Sequence, residues 1–133
     1  MEMKNVVCFL LFCMSFVSLS FGQATLTIEN NSQRTMIVKV VSVNSYGEST
    51  HEKVTISSKS NKVIGFTQSG RFYLKTKAEI SGREPIYQKG EPFNVVNDET
   101  GYSEMTITFS ITESKVPQIS GGKKITQQEF ESD

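Results

Sequence analysis

Alternation of apolar and polar residues is the dominant pattern after residue 22. Residues 72–80 alternate, with apolar members Phe72, Leu74, Ala78 and Ile80 and intervening members Tyr73, Lys75, Lys77 and Glu79. Residues 104–112 repeat the pattern, with apolar members Met105, Ile107, Phe109 and Ile111. A spacing of two places successive side chains on opposite faces of a strand. Both segments are therefore predicted to be strands with one buried and one solvated face.

Turn-forming residues divide the chain into seven strand candidates. Clusters of Asn, Ser, Gly and Pro separate apolar runs at residues 25–30, 34–43, 51–57, 62–67, 71–80, 86–96 and 102–112. Met36 to Val43 is nearly continuous in apolar residues, which predicts a strand covered for much of its length. Pro92 interrupts the sixth candidate, which we expect to be an edge strand or two short pieces. No window shows helical spacing.

This pattern predicts an all-β fold, a seven-stranded antiparallel two-sheet sandwich over residues 23–113. A small closed barrel is the alternative. The run Phe72-Tyr73-Leu74-Lys75-Thr76-Lys77-Ala78 resembles the aromatic alternating strand found late in immunoglobulin-like and fibronectin-type-III-like sandwiches. Residues 23–133 lack the tryptophan and the cysteine pair that would extend this likeness. The resemblance implies an architecture and no function.

Residues 114–133 differ in character from the rest of the chain. Pro117, the Ser120-Gly121-Gly122 run and the Lys123-Lys124 pair predict a flexible tail. Thr126 and Glu129 have the spacing of a capping box. Any helix there would be a turn or two long and marginal by itself.

The first 22 residues have the pattern of a secretory signal peptide. Lys4 precedes an apolar run from Val6 to Phe21, and the small residues Ser20 and Gly22 predict cleavage after Gly22. An uncleaved membrane anchor is the alternative, but the run is shorter than the roughly 20 residues of a spanning helix. No later segment is apolar for long enough to span. We therefore expect a secreted, periplasmic or cell-surface protein.

Composition removes several classes of function. Cys8 and Cys13 both lie in the predicted signal peptide, so residues 23–133 contain no disulfide and no cysteine chemistry. With 14 basic and 14 acidic residues the chain is neutral, and no overall field directs it to nucleic acid. Packing of apolar side chains must then supply the stability.

Candidate catalytic and metal-binding residues are few. His51 is the single histidine, and its neighbour Glu52 points to the opposite face of a strand, so no catalytic set is predicted. We expect no enzyme activity, no cofactor and no metal site, with a small hydrolase using His51 as the least favoured hypothesis. The cluster Asn97-Asp98-Glu99 leaves a weak calcium site as an alternative.

The tyrosines are the candidate binding residues. Tyr46, Tyr87 and Tyr102 lie in or beside predicted loops, while Tyr73 lies on the outward face of its strand with Arg71, Lys75 and Lys77. Exposed aromatic rings stack on sugars or anchor protein partners. We therefore expect a protein-binding or assembly module using the broken edge at 86–96. The alternative is a carbohydrate-binding module using these tyrosines. Asn30 begins an Asn-x-Ser glycosylation pattern.

Overall fold

The computed structural model of this chain describes residues 23–132. The predicted signal peptide and its cleavage site before Gln23 lie in or at the border of residues 1–22, outside the described residues, as does Asp133. Among the described residues, no helix combines the length and the apolar character needed to cross a membrane.

Thirteen strands and one short helix make up the described part of the chain. In chain order these are β1 (Ala24–Asn30), β2 (Thr35–Asn44), β3 (Gly47–Ile56), β4 (Asn61–Phe66), β5 (Gly70–Glu79), β6 (Ile86–Lys89), β7 (Phe93–Val95), β8 (Asn97–Asp98), β9 (Gly101–Tyr102), β10 (Glu104–Phe109), β11 (Ile111–Thr112), β12 (Gln118–Ile119), β13 (Lys123–Lys124) and α1 (Gln127–Glu131). The predicted all-β class is confirmed.

Two main sheets share one core, as in a sandwich. The large sheet has the order β13-β6-β5-β2-β3, with β7 paired to β5 beyond the end of β6, and the small sheet has the order β10-β1-β4. β2 lies between β5 and β3, and this central position explains its nearly continuous apolar sequence. The inner faces bury a common cluster that includes Leu26, Ile28, Ile64 and Phe109 from the small sheet and Met36, Val38, Val40 and Leu74 from the large one.

One strand pair differs from the predicted antiparallel sandwich. β1 and β10 run parallel, in a register from Thr25 opposite Glu104 to Asn30 opposite Phe109, so the antiparallel prediction is wrong for this pair. The physical reason is that alternation specifies which side chains are buried and contains no information on strand direction. The other strand pairs described are antiparallel.

The predicted break at Pro92 is confirmed. The candidate 86–96 forms two short pieces, β6 and β7, which pair with the same strand, β5, at different positions along its length. Proline has no backbone N–H to give to a ladder, so pairing stops before it and resumes after it.

The segment after Glu113 differs from the expected free tail. It adds β12 to β11 and β13 to β6, and it ends in α1, whose N-cap Thr126 accepts a hydrogen bond from the Glu129 backbone N–H at 3.1 Å. Ile119 and Phe130 are buried. Ile119 and Phe130 are too far apart in the sequence to form a periodic apolar pattern, so the sequence did not predict their burial against the domain.

Candidate functional site

An apolar cavity opens where the two sheets meet beside β7 and β10. Its volume is about 320 Å³, and its walls include Leu74, Pro92, Phe93, Ile107 and Phe109. Within residues 23–132, β10 pairs only with β1 and β7 only with β5, so each strand keeps one edge without a neighbouring strand. We call this cavity with its two strand edges the open seam.

The broken strand creates the open seam. The Gly90 N–H still donates to the carbonyl of Leu74 at 2.9 Å, but the next pairing of this segment with β5 begins only at Phe93. Residues 91 and 92 therefore have no partner in β5. Leu74 and Phe109 form buried parts of the cavity wall, while Phe93 and Ile107 are half-buried. The seam can accept an apolar side chain between two strand edges.

A row of lysines crosses the outer face of the large sheet. Directly opposed positions on five neighbouring strands are occupied by Lys53, Lys39, Lys75, Lys89 and Lys123. Side chains in directly opposed positions lie on the same face. Like charges in such positions destabilise a sheet, so this arrangement needs compensation. We call these five residues the lysine row.

The helix α1 covers the middle of the lysine row. The Lys39 ammonium donates to the carbonyl of Phe130 at 2.8 Å, and Lys75 donates to the carbonyls of Glu129 and Ser132 at 2.8 and 2.9 Å. These bonds satisfy carbonyls that the end of a helix leaves without partners. Lys39 and Lys75 are only 6% and 3% exposed.

The structure divides the four candidate tyrosines into two groups. Tyr46 is 97% exposed in the turn between β2 and β3, and Tyr102 is 47% exposed in β9. Val43 pairs with Arg71, and Gly70 pairs with Val95. The β2–β3 turn and the β8–β9 hairpin therefore lie at the same end of the large sheet. These two rings are accessible to a partner.

Tyr73 and Tyr87 have different surroundings. Tyr73 is 3% exposed, and its hydroxyl donates to Glu48 at 2.7 Å. Burial and this hydrogen bond raise the pKa of the Tyr73 hydroxyl far above its usual range. Tyr87 is half-buried, with its ring centroid 5.6 Å from that of Phe130. The expectation that Tyr73 and Lys75 face solvent is wrong, because residues 126–132 and the Glu48 side chain lie against that face.

His51 contacts two aromatic rings that also contact each other. Its ring stacks on Phe66 with a centroid separation of 4.9 Å and meets Phe72 edge-on at 5.4 Å. Its Nε2 lies 3.1 Å from the carbonyl of Gly65, so this nitrogen carries the proton and donates it. The histidine thus joins β3 of the large sheet to β4 of the small one.

The oxygen cluster at residues 97–100 forms a tight turn. Asp98 Oδ1 accepts hydrogen bonds from the hydroxyl and the backbone N–H of Thr100 at 2.5 and 2.8 Å. The hydroxyl bond is the main reason that the pKa of Asp98 lies below its usual range. Within residues 23–132, no three His, Asp or Glu side chains come together as a metal-ligand group.

Sequence reasoning missed the residues on which the outer face depends. Lys39 stood out only as an interruption of an apolar run, and Phe130 only as part of a flexible tail. A lysine in the middle of an otherwise apolar central strand is itself a signal, because a buried ammonium needs acceptors from elsewhere in the chain.

Comparison with known proteins adds no assignment. No family model matches this chain. No curated protein matches it either.

Proposed function

We propose that this chain is an exported, non-enzymatic protein-binding or assembly module that takes up an extended strand of a partner protein at the open seam. The observation that supports this most directly is the apolar cavity of about 320 Å³ beside two strand edges that have no neighbouring strand in the described residues. Sheet edges recruit strands through backbone hydrogen bonds, and pockets for alternate side chains give specificity.

The proposed partner segment is extended and alternating. One of its edges would pair with β10, and every second side chain would point toward the cavity, where Leu74, Ile107 and Phe109 offer apolar contact. An aromatic or branched aliphatic side chain fits a cavity of this kind. Export follows from the signal-like pattern of residues 1–22, and a secreted, periplasmic or surface location forms part of this proposal.

A carbohydrate-binding function is the second candidate, and one observation favours it. Tyr46 and Tyr102 present accessible rings at the same end of the large sheet. Tyr73 and Tyr87 are poorly placed for it, since one is buried and the other packs against Phe130. An immunoglobulin-like or fibronectin-type-III-like strand arrangement also stays a prediction, based on residues 72–78.

Selection from a displayed random-peptide library against residues 23–133 tests the strand-addition proposal. We expect the selected peptides to share an apolar residue at every second position. An Ile107→Lys variant places a charge at the cavity wall, so it should weaken their binding at least about tenfold, as measured by fluorescence anisotropy.

The matched control is Val63→Lys, which adds the same charge at an exposed apolar position of β4 in the same sheet. This variant should bind the selected peptides like the wild type. Equal binding by Ile107→Lys and the wild type, with both folded by circular dichroism, would rule out the open seam as the binding site.

A further inference from the structure

The segment that follows β13 lies on the outer face of the large sheet. The surface is the outer face of the large sheet around the lysine row, and the occupant is the segment 126–132, which contains α1. Phe130 is 3% exposed, and its ring centroid lies 4.9 Å from the Lys39 ammonium and 5.6 Å from the centroid of the Tyr87 ring. One aromatic side chain therefore anchors the segment.

The described hydrogen bonds from the two buried lysines to this segment go mainly to backbone carbonyls. Lys39 and Lys75 bind the carbonyls of Glu129, Phe130 and Ser132, and the hydroxyl of Ser132 adds one further contact at 3.2 Å. Carbonyl acceptors are present in any peptide. Another segment with an aromatic residue at the same place can make these contacts.

The charge on both sides is complementary. Glu129 and Glu131 flank the anchor and are exposed, while Lys53, Lys89 and Lys123 extend the lysine row beyond the two covered members. The Lys89 ammonium lies 4.8 Å from the centroid of the Tyr73 ring. A cationic face of this type favours acidic ligands and repels basic ones.

A short helix and a short strand pairing belong to this attachment. A helix of five residues has little stability of its own. It is preceded by the two-residue pairing of β13 with β6 and by the hydrogen bond from the Ile125 N–H to the Tyr87 carbonyl at 3.0 Å. The Ser120-Gly121-Gly122 run before it contains a positive φ of 78° at Gly121, a turn that glycine adopts without strain.

We propose that the lysine row is a binding groove for an acidic peptide segment of a partner protein that carries one aromatic anchor, and that residues 126–132 occupy this groove until such a segment displaces them. This site lies on the opposite face of the large sheet from the open seam, whose cavity wall includes Gly121 of the run before the segment. It extends the proposed function from one binding surface to two. A tethered segment competes at a millimolar effective concentration, so the intact chain binds partners more weakly than the opened groove does.

The test uses the chain 23–133 and a fluorescein-labelled peptide with the sequence of residues 124–132. Phe130→Ala in the protein removes the anchor of the internal segment. We expect this variant to bind the peptide at least about tenfold more tightly than the wild type, because more molecules have an open groove. A peptide in which alanine replaces the phenylalanine should bind neither protein.

Two further variants keep the test decisive. Thr126→Ala removes only the helix cap and leaves the buried residues in place, so it should increase peptide binding about fivefold even if Phe130→Ala is poorly folded. In the Phe130→Ala background, Lys89→Gln should weaken binding severalfold, whereas Lys62→Gln on β4 should not.

Several outcomes would overturn the proposal. One is equal peptide binding by the wild type and by both opened variants, when circular dichroism shows all three folded. Another is peptide binding that does not depend on the phenylalanine of the peptide. A third is binding of heparin with the same differences among the variants. Either result would mean attraction by charge alone. Concentration-dependent dimers of the wild-type chain would assign the groove to a second copy instead.

Discussion

Arg34 shows how a single charged residue is kept inside this protein. Its guanidinium is fully buried, and it donates through Nε and Nη2 to the two carboxylate oxygens of Glu113 at 2.8 and 3.1 Å. Its Nη1 donates to the carbonyls of Ala78 and Glu84. A buried charge is tolerated when it is paired and hydrogen-bonded in this way. Arg83 adds a second cation to Glu113 at 2.9 Å.

This network predicts a specific pH dependence. The hydrogen bond from Arg34 holds the pKa of Glu113 below its usual range, with further help from the charges of both arginines. A carboxyl with a lowered folded pKa stabilises the fold at pH values above its unfolded pKa of about 4.3. That stabilisation is lost as the pH falls through the lower, folded pKa.

We expect Glu113→Gln to lower the free energy of unfolding at pH 7 by about 1–2 kcal/mol, a modest value because the Glu113 side chain is 35% exposed. Urea unfolding at pH 7, 5 and 3 measures this effect, and the gap to the wild type should narrow at pH 3. Glu104→Gln, at an exposed position of β10, serves as control and should leave the pH 7 midpoint unchanged. A gap that persists undiminished at pH 3 would contradict the assignment to Glu113 ionisation.

Among the elements, the junction of β1, β2 and β3 depends on one buried amide. Asn30 Nδ2 donates to the carbonyls of Arg34, Ile56 and Ser57 at 2.7–3.1 Å. Its Oδ1 accepts from the backbone N–H and the hydroxyl of Ser32. The nitrogen that a glycan would join is thus buried and already in use. Modification of the folded chain at Asn30 would have to break these bonds.

We predict that Asn30→Ala destabilises the protein by about 2–4 kcal/mol, because it removes the five hydrogen bonds of a buried amide. Asn31→Ala is the matched control at the next, exposed position and should change stability by no more than about 0.5 kcal/mol. Guanidinium unfolding of both variants gives the comparison. Similar losses in the two variants would show that the junction does not depend on the buried amide.

Elements with a clear alternation could be predicted from the sequence, and elements defined by long-range contacts could not. The predicted strands 25–30 and 71–80 agree within one residue at each end with β1 and β5, and the nearly continuous apolar run 34–43 agrees equally well with β2. The parallel direction of β10 beside β1 was not predictable, since alternation is the same in either direction. Nor could the sequence show that Tyr73 and Lys75 are covered, because a strand pattern identifies faces without identifying what lies against them.

At the scale of the whole molecule, contacts between distant parts of the sequence hold the fold together. Arg34 and Glu113 are 79 residues apart, and Lys39 reaches the carbonyl of Phe130 across 91 residues. The parallel pairing of β1 with β10 likewise joins the two ends of the sandwich domain. Residues 23–133 contain no cysteine, so these packed and hydrogen-bonded contacts take the place of disulfides.

The segment after Glu113 therefore contributes to global stability, in contrast to the flexible tail predicted from its composition. A chain ending at residue 113 would lose the buried side chains of Ile119 and Phe130, worth about 1.5–3 kcal/mol each. It would also return Lys39 and Lys75 to water, and their hydration offsets part of that loss. We expect residues 23–113 to be less stable than residues 23–133 by about 2–4 kcal/mol.

Urea unfolding followed by circular dichroism measures this difference, and the longer chain should unfold in a single transition because its last segment packs on the same sheet as the core. Phe130→Ala in the longer chain separates the two contributions, since it removes the aromatic anchor while β12 keeps its pairing with β11. Its stability should fall between those of the two chains. If the chains of both lengths share one midpoint, residues 114–133 behave as the free tail that their composition suggested, and the covered lysine row is not a stable feature of the molecule in solution.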